Sequence, residues 1–81
     1  MKNIVTAAQC RAARALLAWS QGDLEAASQV GKATIANFER GASTPFPRTL
    51  RDLRCALEDA GVEFIDENGG GAGVRLKISS K

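Results

Sequence analysis

Between Ser20 and Gly41 the chain carries two short helical patterns and only three residues, Gln29-Val30-Gly31, to join them. Ser20, followed three residues later by Asp23, reads as a helix cap; Leu24 and Ala27 give that helix an inward face, and it runs to about Ser28. The second pattern runs from about Lys32 to Arg40, with Ile35 and Phe38 on its buried face. It stops at Gly41, where a left-handed residue is wanted. Two short helices on so short a joint form a helix-turn-helix pair. Many small bundles contain such a pair, so this geometry alone names no function.

The flanks supply the rest of a core. Thr6 with Gln9 makes a capping box for a helix over roughly 7–18, whose apolar positions recur at Cys10, Ala13, Leu16 and Leu17. Ala42 to Phe46 reads as a loop. Pro47 suits a first helical turn, and Leu50, Leu53 and Leu57 mark the buried face of a fourth helix that Gly61 stops. The expected core is Leu17, Leu24, Ile35, Phe38, Leu50, Leu53 and Leu57, with Trp19 plugging the corner between the first two helices. Beyond Gly61 the period changes from helical to two: Val62, Phe64, Val74, Leu76 and Ile78 alternate with Glu63, Arg75 and Lys77, which predicts strands. The stretch from Asp66 to Gly73 between them is a turn former. A Gly-rich phosphate cradle needs a strand-to-helix context, and no helical pattern follows.

At 81 residues the chain fits one fold unit and buries a modest fraction of its surface. Its two cysteines, Cys10 and Cys55, both fall in helical patterns and read as buried free thiols, consistent with a reducing compartment. With no His and two separated Cys there is no zinc pattern, and no cofactor is expected. Oligomerisation is then the natural stabiliser. No apolar stretch of signal-peptide length follows Lys2 and none approaches a membrane span, so a soluble cytoplasmic protein is expected. An enzyme is disfavoured by inventory: there is no His, no Tyr and no convincing nucleophile–base pair.

The net charge of +2 argues little, but its distribution is uneven. Lys32, Arg40, Arg48, Arg51 and Arg54 face only Glu39 and Asp52 between Gly31 and Arg54; Glu58, Asp59, Glu63, Asp66 and Glu67 then follow with no base before Arg75, Lys77 and Lys81. One stretch can face phosphates while another faces away, although a normally solvated surface reads the same way.

Ser20-Gln21, Leu24, Val30, Thr34-Ile35 and Phe38-Glu39-Arg40-Gly41, taken with their spacing, resemble the signature of the Cro and CI-type repressors, the XRE family, over about residues 10–61. The resemblance implies a mainly α fold: a four-helix, phage-repressor-like helix-turn-helix domain over 1–61. A C-terminal β-hairpin over 62–81 stands where relatives often have a fifth helix. It implies sequence-specific binding of double-stranded DNA by a small transcriptional regulator, a repressor or autoregulator, nucleoid-associated when on DNA. The helix from Lys32 would be the recognition helix, with Lys32, Ala33, Ala36 and Asn37 reading base edges in the major groove. Gln21 resembles the family's phosphate-contacting Gln, and Arg40, Ser43, Thr44 and Arg48 are further phosphate candidates. Arg14 and Glu39 match a structural ion pair that links the first helix to the end of the recognition helix.

Three residues depart from the family pattern. Glu25 stands where a small Ala is usual, so it must bend to solvent or reach Lys32. Gln29 replaces a turn Gly, and Gly31 replaces a capping Ser or Thr. A hairpin with an apolar face and an open edge points to a homodimer on a palindromic operator; the alternative is that it folds back and caps its own helices. A second functional reading is an antitoxin-like DNA-binding protein whose hairpin holds a partner protein.

Overall fold

The computed structural model describes residues 5–67 and 69–77. Four helices are followed by a two-stranded antiparallel sheet: α1 (Ala7–Leu17), α2 (Gln21–Ser28), α3 (Lys32–Glu39), α4 (Pro47–Asp59), β1 (Val62–Ile65) and β2 (Gly73–Leu76). Local chemistry explains most boundaries. Thr6 and Ser20 each accept the N–H of the third helical residue, while the side chains of Gln9 and Asp23 return the bond, so both capping boxes are complete. α1 ends one residue before the expected limit because Ala18 turns left-handed at φ 57°. Pro47 opens α4, where a missing N–H costs nothing. Gly41 and Gly61 follow α3 and α4 at φ 82° and 114°, conformations that L side chains rarely adopt.

Leu24, Ile35, Leu53 and Leu57 are fully buried at the centre, where α1, α2, α3 and α4 meet. Truncating any of them to Ala would leave a cavity and cost about 2–5 kcal/mol. The core is wider than the helical spacing alone implies. Val5, Cys10, Ala13, Val30, Ala56, Val62 and Phe64 are also buried, while Leu17 and Trp19 only pack against its rim. Three sequence expectations are corrected. Leu16 is 40% exposed, because α1 needs only the narrow Cys10–Ala13–Leu17 stripe to meet its neighbours. Ala27 is exposed and Ser28 is buried in its place, four residues after Leu24. Cys55 is exposed, on the face of α4 away from Leu53 and Leu57.

The hairpin caps the bundle. Val62 pairs with Leu76 and Phe64 with Val74, and both strands pack on α1 while β1 also lies on α4. Val62 and Phe64 fill the core, and the Arg54 guanidinium stands 4.8 Å from the Phe64 ring centre. Gln9 fastens the loop end of the hairpin to α1 by donating from Nε2 to the Gly73 carbonyl at 3.0 Å. Among the described residues of the apolar face expected to meet a second copy, Val62 and Phe64 are spent inside the chain and Val74 packs against the core, while Leu76 is 48% exposed. Ile78 and Lys81 lie outside the described residues.

Candidate nucleic-acid interface

α3 buries Ile35, Phe38 and Glu39 and turns Lys32, Ala33 and Thr34 to solvent, with Ala36 and Asn37 half-buried. One side of this two-turn helix is thus anchored in the core and the other presents small and hydrogen-bonding side chains. Asn37 does not hang free: its Oδ1 accepts from Arg40 Nη2 at 2.9 Å, while its amide N–H groups have no partner among the described residues. Its carbonyl accepts the N–H of Ala42 at 2.8 Å, so the loop bearing Ser43 and Thr44 starts from a fixed point. Ser43, Thr44 and Arg48 are exposed.

Glu39 is the hub of the site. Although only 3% exposed, its carboxylate has a donor on every side. Oε1 accepts from Arg14 Nη2 at 2.6 Å and Gln21 Nε2 at 3.0 Å; Oε2 accepts from Arg14 Nε at 2.8 Å and the Cys10 thiol at 3.1 Å. One carboxylate therefore ties α1, α2 and α3 together and sets the angle at which α3 is held. Burial by itself would push the carboxyl up, but the bonds from Arg14, Gln21 and Cys10, with the Arg14 charge, outweigh it and hold the carboxyl below its ordinary range. Burial first, and then the bond to Glu39, push the Cys10 thiol well above the usual thiol range, so it remains a protonated donor. Gln21 spends one amide hydrogen on Glu39 and keeps the other, with its backbone at the start of α2, where N–H groups suit an anion.

Two contributors were not singled out from the sequence. Arg11 donates from Nη1 to the Glu39 carbonyl at the end of α3. With Arg14, Gln21, Ala36, Glu39 and Arg40 it lines an open groove of about 500 Å³ beside α3. Its spacing of three from Arg14 was the available signal, since residues three apart share a helix face. Cys10, four residues before Arg14, carried the same signal. Among the described residues Arg11, Lys32, Arg40, Arg48 and Arg51 are exposed and have no ion-pair partner, so their charge is available to an anionic ligand. Glu25 is exposed and does reach Lys32, but at the backbone: its Oε2 accepts the Lys32 N–H at 3.1 Å.

A helix pair on a three-residue joint, with its second helix anchored on one side and polar on the other, is a helix-turn-helix module. The family model described as "Helix-turn-helix" matches residues 11–58, more than half of the chain. The chain belongs to this family, in its XRE, Cro/CI-like branch, and is a DNA-binding helix-turn-helix regulator. No curated protein matches it. No helix among the described residues is long and apolar enough to cross a membrane.

Proposed function

We propose that this regulator is a repressor or autoregulator that reads a specific double-stranded operator through α3. The observation that carries this reading is the two-sided character of α3: Ile35, Phe38 and Glu39 fix it to the core while Lys32, Ala33, Ala36 and Asn37 stay on its accessible side. Asn37, oriented by Arg40, pairs with an adenine edge; Lys32 donates to guanine or to a phosphate; Ala33 and Ala36 meet thymine methyls. Gln21, Arg40, Ser43, Thr44 and Arg48 hold the backbone on either side, and Arg11 joins them through the groove it shares with Arg40.

Selection from random duplex oligonucleotides, followed by anisotropy titrations over a salt series, tests the reading. A defined motif and a steep fall of log K with log salt are expected. Recovery of no motif, or a flat salt plot, refutes it.

The working unit on this reading is a homodimer on a palindromic site, with recognition helices about 34–36 Å apart. Because Val62 and Phe64 face the chain's own core, what the hairpin itself offers a second copy is its open strand edge with the exposed Leu76. Sedimentation of the chain with and without operator decides between one and two copies. Leu76→Lys should abolish the dimer while leaving the fold intact.

A further inference from the structure

α3 begins without a cap of its own. Gly31, at the position where a Ser, Thr, Asp or Asn would accept an N–H of the first turn, has no side chain, and no side-chain cap bond forms from it. The preceding residues do not compensate locally: Gln29 is left-handed at φ 66° and donates its side-chain amide back to Ala26, and Ser28 Oγ is used by the Val30 N–H. The acceptor comes from the neighbouring helix. Glu25 on α2 reaches across the turn and takes the N–H of Lys32, the first residue of α3. Its carboxylate also sits at the positive end of the α3 backbone dipole, where a negative charge is favoured.

We propose that Glu25 is a positioning residue for the recognition helix: a cap supplied from α2 that fixes the start of α3 in place of the side chain Gly31 lacks. The contact spans the joint of the two helices, so it constrains their mutual angle as well as fraying of the first turn, which a cap within α3 would not do. The DNA-facing half of this inference rests on the operator-binding reading above; the capping half does not. Gly31 at φ −58° is outside the left-handed region, and a Cβ built there meets nothing within 4 Å, so a serine fits without strain. That makes a rescue experiment possible.

Amide hydrogen exchange is measured on wild type, Glu25→Ala, Gly31→Ser and the double variant. The reporter is Ile35, whose N–H makes the first bond within α3, to the Gly31 carbonyl at 3.0 Å; Leu53, inside α4, serves as the reference for global opening. In Glu25→Ala the Ile35 amide should exchange about fivefold faster relative to Leu53, the equivalent of losing one cap, and Gly31→Ser should restore it in the double variant. Affinity for the selected operator should fall severalfold with Glu25→Ala and recover with the serine. An unchanged Ile35-to-Leu53 ratio in Glu25→Ala, or a double variant that stays frayed, overturns the capping role whether or not the chain binds DNA. A frayed α3 with full operator affinity overturns the positioning role alone.

Discussion

Replacing Arg14 by Ala removes two of the four donors on a carboxylate that is 3% exposed. Glu39 then keeps only the Cys10 thiol and the Gln21 amide, and its charge is left without a counter-ion in the core. Breaking a buried pair from one side costs about 3–5 kcal/mol. Arg14 is 19% exposed, so water can partly refill its place, which puts the expected loss near the low end, about 3 kcal/mol. A small domain sits towards the low end of roughly 5–15 kcal/mol in total, so this loss leaves it barely folded. The melting temperature should drop by about 12–24 °C. The loss should also depend on pH in a definite direction. In the wild type the folded carboxyl titrates below its unfolded value, so the stability it contributes is complete above that value and is lost as pH falls through the depressed one. Without Arg14 its bonds and its charge no longer pull the carboxyl down, only Gln21 and Cys10 still oppose burial, and the folded carboxyl titrates higher than in the wild type, so less stability is lost on acidification. The gap between the two proteins should therefore narrow as pH falls below about 4.5. Urea titrations of both proteins at pH 7 and pH 4 measure this. An unchanged midpoint at pH 7 would make the pair a bystander; a gap that is the same at both pH values would refute the assignment of the loss to a stranded carboxylate.

Gln29→Gly should raise stability by about 0.5–1 kcal/mol, read as a melting temperature a few degrees higher, because a left-handed Gln is strained where Gly is not; no gain would mean that the bond from its side chain to Ala26 matters more than the backbone. A thiol reagent should label Cys55 alone in the native protein and both cysteines in urea, since Cys10 is buried and held protonated; two fast equivalents in the native state would contradict the hub described for Glu39. Asn37→Ala should weaken operator binding by about 1–3 kcal/mol and relax one base position, and Arg40→Ala should relax the same position in part because it frees the Asn37 amide to rotate. An identical selected motif for Asn37→Ala and wild type would remove Asn37 from base reading.

Sequence alone determined what is local or periodic. The capping boxes at Thr6 and Ser20, the stop at Gly41, the Pro47 start and the change from helical to alternating apolar spacing after Gly61 all depend on residues within four or five positions of one another, and each element forms where those signals put it. Residue identities at family spacing were enough to single out Arg14 and Glu39, which the structure brings to 2.6 Å, although they stand on different helices. What needed the tertiary structure were contacts whose partners are far apart in the chain. Leu16, Ala27 and Cys55 all sit at apolar or small positions inside helices, and only the packing of neighbouring helices shows that the core leaves them outside. Whether the hairpin's apolar face would meet a second copy or its own helices was open until Val62 and Phe64 were seen to fill the same core as Leu53 and Leu57. Glu25 gives the sharpest contrast: two destinations fitted the sequence equally well, because a flexible carboxylate can turn to water or to Lys32. The choice was made by the turn, which brings the uncapped first N–H of α3 within 3.1 Å of it.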